Sequence, residues 1–309
     1  MEIIFILLTA LIIDITLGEP PNMLHPVAWL GKLISLETKL SPQKHKLAQI
    51  AYGISMVVVT LVLIVTPVYL LLIYLKDINS LVYIISAGIL FKSTFALRGL
   101  RQAVHTSKML LAQNKLEQAR ISLGSLVSRD TADLNESQLV SATIESATEN
   151  SCDSFVAPLF YFLLFGVPGA IAYRIVNTFD AMVGYHGKWE YLGKFAARLD
   201  DVVNFLPARV TALLIIISAW ICRKNILQAW HIMFRDHKKT QSPNAGWTMS
   251  AIAGALGVQL EKTGHYKLGD NHNSLSLATI DASLHMIMIA AIIWSFLSIL
   301  AEVIYLVAT

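Results

Sequence analysis

RDTADLNESQLVSATIESATENSCDSFVAPLF (129–160) and YRIVNTFDAMVGYHGKWEYLGKFAARLDDVVNFLPAR (173–209) decide how this chain is read. They set carboxylates, amides and arginines beside apolar runs, where a polar side chain is costly unless it is paired or liganded. Glu145, Glu149 and Asp153 fall at i, i+4 and i+8, so on one helix they share a face. Three like charges on one stripe repel each other. They suit a hard cation such as Mg²⁺, which takes oxygen ligands and often substrate phosphates as well. A solvated helix face with chance spacing gives the same pattern. Asn177 with Asp180, and then Arg198, Asp200, Asp201 and Asn204, repeat it. Three such groups in one apolar segment favour a polar site at a membrane surface over a purely structural network.

The whole chain agrees. Of its 309 residues 55% are hydrophobic and only 15% charged, against about 25% charged in a soluble domain. Mean hydropathy is +0.58, as in a membrane protein. A net charge of +3 without a basic, aromatic-interleaved stripe excludes a nucleic-acid interface. Cys152 and Cys222 have no metal spacing and form no disulfide framework.

From the N-terminus, an apolar run at 3–17, interrupted by Asp14, reads as a retained first helix stopped by Gly18-Glu19-Pro20-Pro21. Residues 51–75 form a strong span with Pro67 as a kink, and 81–97 returns through the membrane. Lys92, near the end of that return, is expected to snorkel to the interface. Residues 102–128 read as soluble helix with a buried stripe of Leu116, Ala119, Leu123 and Leu126, and Asp133 or Asn135 caps the helix that follows. Two apolar runs are poor spans. Residues 155–172 are broken by Pro158 and by Gly166-Val167-Pro168-Gly169, and 210–222 is short of the ~20 residues a crossing needs. Such runs are often re-entrant or buried. Residues 285–308 form a last span. The Ser242–Trp247 turn could offer backbone N–H groups to an anion, although an ordinary turn before a helix reads the same way. AIAGALG (251–257) suits close helix packing.

The expected fold is all-α: a polytopic integral membrane protein with roughly four to six membrane helices and a helical polar layer carrying the site. One membrane-embedded domain is divided along the chain. Residues 1–100 hold three spans and a cytoplasmic loop, and 101–153 a polar helical segment. Residues 154–222 hold interrupted or re-entrant helices with the site segment, 223–284 a polar loop and helix segment, and 285–309 the last span. Lys32, Lys39, Lys44 and Lys46 between the first two spans mark the cytoplasmic side of a multi-pass cell-membrane protein. If neither weak run crosses, the whole site faces the cytoplasm.

The ordered motifs are more specific than any of these groups alone. Asp14 with GEP and HPV, RDT, ESATEN-x-x-D, APLF, PGA-x-x-YR-x-x-NT-x-DAMVGY, ARLDDV-x-N-x-x-PAR and SPNAG resemble, over nearly the whole chain, the membrane-bound cobinamide-phosphate synthase family of cobalamin biosynthesis. Glu19 and Cys152 depart from the family pattern. The resemblance implies an acid–amine ligase that joins aminopropanol, or its O-phosphate, to a propionate carboxylate of the corrinoid adenosylcobyric acid, with ATP as co-substrate and Mg²⁺. Glu145, Glu149, Asp153, Asp180, Asp200 and Asp201 are then the expected metal and phosphate ligands. Glu145, Glu149, Arg129, Arg174, Arg198 and Asp201 carry the catalytic expectation, the arginines through phosphoryl or acyl-phosphate charge. Asp14, His25, Asn150, Asn177, Asn204, Ser242 and Asn244 are expected to bind substrate. His25 or a carboxylate is a candidate for the base that deprotonates the amine. No G-x-x-x-x-G-K-[ST] loop is present, so ATP must be held in another way. The expected partners are the corrinoid, aminopropanol phosphate and the lipid bilayer, with no nucleic acid; a homo-oligomer stays open. Two rivals remain: an intramembrane Mg²⁺-dependent prenyltransferase, favoured by NTFD and DDVVN taken alone, and a non-catalytic sensor or transporter of the same fold.

Overall fold

The computed structural model describes residues 1–308 apart from Asn22, Gln43, Lys44, Ser125, Leu126, Ser128, Arg129, His186 and Lys188. Arg129, Lys44 and Leu126 of the expectations above therefore lie outside the described residues. In chain order the helices are α1 (Glu2–Thr16), α2 (Pro26–Lys39), α3 (Lys46–Ile78), α4 (Ser80–Lys92), α5 (Leu97–Ala112), α6 (Leu116–Gly124) and α7 (Glu136–Ser151). A π-helical turn (Cys152–Val156) leads into α8 (Ala157–Val183), α9 (Lys194–Val203), α10 (Phe205–Ile221), α11 (Ile226–Asp236) and α12 (Ala245–Leu256). A two-stranded antiparallel hairpin, β1 (Leu260–Lys262) and β2 (Tyr266–Leu268), precedes α13 (Leu277–Ala308). The protein is an all-α polytopic membrane protein. Four helical stretches are long and apolar enough to cross a bilayer: 46–78, 80–112, 136–183 and 277–308. A fifth is added if 194–203 and 205–221, broken at Asn204, count as one. Exposed Val62, Leu63 and Leu70 on α3 and Ile292, Phe296 and Ile304 on α13 face where lipid would be.

The chain divides into two compact units. The first comprises Met1–Ala96, Ala157–Val203 and Ser298–Thr309, and the second Leu97–Val156 and Asn204–Leu297.

In the first unit α1 packs along α4, burying Ile6, Leu7 and Ala10. At 15 residues, α1 is about 22 Å long and shorter than the ~30 Å hydrocarbon core. Asn79 is the whole junction between α3 and α4. It ends one helix and caps the next, its side chain accepting from the Leu81 and Val82 N–H groups at 2.8 and 3.1 Å. Phe91 stacks on Phe162 at 4.0 Å.

The apolar run 155–172 does not cross as one rod. Pro158 is absorbed near the start of α8, and the break falls at Gly166, with φ 66° and ψ −161°, a region open essentially to glycine alone. The chain folds back there. The Tyr161 and Tyr173 rings stack 5.3 Å apart, whereas twelve residues of unbroken helix would separate them by about 18 Å. The run is thus a helical hairpin bent at Gly166 rather than one straight helix.

In the second unit α12 is buried on nearly every face, as a helix that is apolar all round must be. It lies against α11 so closely that a Cβ on Gly254 would come within 2.7 Å of the Gln228 carbonyl oxygen, the close packing expected of AIAGALG. The segment read as one soluble helix is, over its described residues up to Gly124, two helices, because Asn114 takes a left-handed conformation (φ 56°) between α5 and α6. Ala119 and Leu123 are buried as their spacing predicts. Asn135 caps α7 in a reciprocal pair with Gln138, each contact 2.9 Å.

Candidate functional site

The first unit holds two polar clusters. One resolves Asp14 and Lys92. Lys92 is 4% exposed and does not snorkel. Its Nζ lies 3.1 Å from Asp14 Oδ1, donates to Glu19 Oε1 at 2.6 Å and donates to the Phe95 carbonyl at 3.1 Å. The expectation fails because α1 supplies a buried carboxylate within reach, so the ammonium is paired where it lies. Glu19 Oε2 meets His25 Nε2 at 2.9 Å. His25 Nδ1 accepts the Val27 N–H at 3.2 Å as the N-cap of α2, which places the ring proton on Nε2, donated to Glu19. Both ring nitrogens are thus engaged within the cluster. Burial alone would raise the Glu19 pKa, but the hydrogen bonds from His25 and Lys92 outweigh it and hold that carboxyl below its ordinary value.

The other cluster joins the second half of α8 to α9. The Arg174 guanidinium donates to Asn177 Oδ1 at 3.3 Å, and Asn177 Nδ2 donates to Asp200 Oδ1 at 3.4 Å. Thr178 caps the same turn by donating to the Arg174 carbonyl at 2.7 Å. Asp180 lies one turn on, its carboxylate against the Gly184 backbone. Asp201 is 3.7 Å from Arg198, but Arg198 is 77% exposed, so that pair contributes little. Tyr161 donates to the Val203 carbonyl at 2.8 Å, tying the hairpin to the end of α9.

In the second unit the stripe of Glu145, Glu149 and Asp153 is not kept as one face. α7 ends at Ser151 and Asp153 sits in the π turn, whose wider winding shifts the register. Glu145 is 3% exposed. Its Oε1 accepts from Ser141 Oγ at 2.6 Å and its Oε2 from the Tyr266 hydroxyl at 2.8 Å. Ser141 Oγ in turn accepts the Glu261 N–H at 2.9 Å, so the hairpin is latched to α7 through this carboxylate. Glu149 is exposed and Asp153 half-buried. Asn150 donates back to the Ser146 carbonyl at 2.9 Å. Trp294 Nε1 donates to the Val156 carbonyl at 3.1 Å, at the end of the π turn.

The amino-terminal ends of α10 and α12 meet in this unit. Arg209 donates to Asn244 Oδ1 at 3.2 Å and to the Phe205 carbonyl, while its guanidinium lies 3.5 Å from the Phe205 ring centre and 4.7 Å from that of Trp247. Ser242 Oγ accepts the N–H groups of Asn244 and Ala245 at 3.2 and 3.4 Å. Two of that loop's amides are therefore already bonded within it, to Ser242. Asn204 is 3% exposed, with Cys152 Sγ 4.0 Å from its Oδ1. Asp236 is fully buried among Arg235, whose Nε and terminal nitrogen each donate at 2.8 Å, Lys239 at 2.6 Å and the Gly269 N–H at 2.8 Å. Burial pushes its pKa up, but the Arg235 and Lys239 contacts prevail and bring it down to about 2.

Among the described residues no three His, Cys, Asp or Glu side chains form a ready cation cage. Mg²⁺ binds through one or two carboxylates and fills its remaining positions with water and substrate phosphates; the half-buried Asp200 is a carboxylate of that kind, whereas the Asn177 amide oxygen is taken by Arg174. Sequence reasoning missed Tyr266, Ser141 and Arg209. Arg209 had a signal in PAR, a guanidinium near the start of an apolar helix. Tyr266 had none, because only the hairpin register, Lys262 opposite Tyr266, aims it at α7.

Fold and clusters together define an all-α polytopic membrane protein with buried carboxylate, amide and guanidinium groups in each of its two units. The family model described as CobD/Cbib protein matches residues 7–295, and the chain belongs to that family. It is 54% identical over 299 residues to "Cobalamin biosynthesis protein CobD" of Dehalococcoides mccartyi, covering 97% of each chain. It is 40% identical over 272 residues to "Probable cobalamin biosynthesis protein CobD" of Methanothermobacter thermautotrophicus, covering 87% of this chain and 88% of the other. A protein of the same name from Methanocaldococcus jannaschii is 36% identical over 272 residues, 85% and 87% of the two chains. No solved structure matches.

Proposed function

We propose that this protein works in cobalamin biosynthesis as an acid–amine ligase, joining aminopropanol phosphate to a propionate carboxylate of adenosylcobyric acid at the expense of ATP. Family membership across residues 7–295 carries the reading, and the buried polar clusters support it. An amide does not form from a carboxylate and an amine in water without activation. In the proposed sequence a propionate oxygen attacks the γ-phosphorus of ATP and ADP leaves. The amine nitrogen then attacks the acyl carbon, phosphate leaves, and the amine proton passes to a base. The developing charge lies on phosphoryl and acyl oxygens, so the protein's task is electrostatic.

Arg174 is the first candidate to neutralise that charge, since Asn177 fixes one edge of its guanidinium and a planar fork suits phosphate. Mg²⁺, when bound, would neutralise nucleotide phosphates; Asp200, with Asn177 beside it, and Asp180 are the residues proposed to hold it. In the second unit Glu145 positions α7 through Ser141 and Tyr266. Lysines 32, 39 and 46 support a cytoplasmic site.

The test is mass spectrometry of the purified full-length protein incubated with adenosylcobyric acid, aminopropanol phosphate, ATP and Mg²⁺. The expected result is the amide product with ADP and phosphate in equal amounts, strongly reduced in Asp200→Asn and Arg174→Lys. Turnover of a prenyl diphosphate with no corrinoid product would replace the ligase with the prenyltransferase reading.

A further inference from the structure

The second unit carries a groove of about 730 Å³ that none of the chemistry above uses. Arg101 of α5 lines it, with Cys222 and Lys224 after α10 and Asp281, His285 and Met288 of α13. The Asp281 carboxylate is held by Lys108 Nζ at 2.7 Å, so the acidic wall is already neutralised. The Arg101, Lys224 and His285 side chains are exposed and make no hydrogen bond or ion pair among the described residues. The chain end of α10 keeps the cations there. The Lys224 N–H closes back on the Ala219 carbonyl at 2.8 Å, and Arg223 takes the left-handed conformation, φ 55°, that usually falls to glycine. Cys222 and Met288 give the groove an apolar side. Around it the surface is that of a membrane boundary: Trp220 is 68% exposed, and on α11 Leu227 and Trp230 face outward at i and i+3.

A concave site with free cations and an apolar side, beside exposed tryptophans at the end of an apolar helix, fits an amphiphile with an anionic head. We propose that this groove binds an anionic phospholipid of the surrounding bilayer, its phosphate against Arg101 and Lys224 and an acyl chain along Cys222 and Met288. Scattered basic residues at a cytoplasmic boundary would attract an anionic leaflet diffusely. The groove instead calls for a lipid retained one at a time, on residues remote in sequence that the fold gathers.

Native mass spectrometry of the full-length protein, extracted from nanodiscs containing equal phosphatidylglycerol and phosphatidylcholine, tests this. Wild type should retain phosphatidylglycerol in preference. Arg101→Gln with Lys224→Gln should retain about thirtyfold less, from the contribution of two cations at an anionic surface. Lys32→Gln with Lys39→Gln and Lys115→Gln, which removes three exposed cations elsewhere, should keep the wild-type amount. Met288→Trp, which fills the apolar side and spares the charges, should also lose the lipid. Equal retention of the two lipids by wild type overturns the proposal, as does wild-type retention by the Arg101/Lys224 variant. Displacement by millimolar inorganic phosphate would assign the groove to a soluble anion and overturn it too.

Discussion

Glu145→Gln separates a carboxylate that positions α7 from one that binds a cation. The substitution keeps the shape and removes the charge. In the native site two hydroxyls donate to the carboxylate, Ser141 at 2.6 Å and Tyr266 at 2.8 Å, in a pocket that leaves Glu145 3% exposed. Ser141 Oγ already accepts from the Glu261 N–H, which directs its proton to Glu145. Glutamine offers one oxygen and an NH₂, so one hydroxyl must turn round and accept. Hydrogen bonds to a charged partner contribute about 1.5–3 kcal/mol against about 1 for neutral ones, so the expected loss is about 2 kcal/mol. In a protein of 309 residues that lowers the unfolding midpoint by roughly 3 °C. Tyr266→Phe should lose about 1.5–3 kcal/mol, and the double variant should fall short of the sum, because the two share one bond. Thermal unfolding of the detergent-purified variants measures all three. Turnover at saturating Mg²⁺ should survive in Glu145→Gln once the protein is kept below its lowered midpoint. An unchanged midpoint combined with abolished turnover would refute the reasoning and make Glu145 a direct ligand.

Lys92→Met leaves Asp14 buried without its cation and should cost about 3–5 kcal/mol, whereas Lys92→Met with Asp14→Asn should recover part of that in the same unfolding assay. Asp236→Asn should lower stability by about 2 kcal/mol, the linkage expected of a carboxyl lowered from 3.8 to about 2. The Asp236 pKa is depressed on folding, so its contribution is complete above about pH 4 and is lost as pH falls toward 2. The gap between wild type and variant should therefore be constant from pH 5 to 8, and a gap that closes near pH 6 would contradict the assignment. Gly166→Ala should cost about 1–3 kcal/mol and loosen the Tyr161–Tyr173 stack, seen as changed tyrosine fluorescence; an unaffected variant would deny that the turn needs glycine.

The sequence alone determined the membrane class, the helical content and the family, because these rest on summed hydropathy and on ordered local motifs. It also marked the caps and stops: Asp133 or Asn135 as the start of α7, which the fold settles on Asn135, and Gly18-Glu19-Pro20-Pro21 between α1 and α2. It marked Gly166 as a break, since glycine with proline two residues on cannot sustain a helix. The partners of the polar residues were beyond it. Lys92 read as a snorkelling lysine because Asp14 is far from it in sequence, and only the packing of α1 on α4 brings them to 3.1 Å. Glu145, Glu149 and Asp153 read as one stripe because helical periodicity was extended through Cys152, where the backbone takes a π turn instead. Tyr266 was invisible for the same physical reason, since it reaches Glu145 across 121 residues through a hairpin register. Local propensity is written residue by residue, whereas the pairing of buried charges depends on which distant helices the folded chain sets side by side.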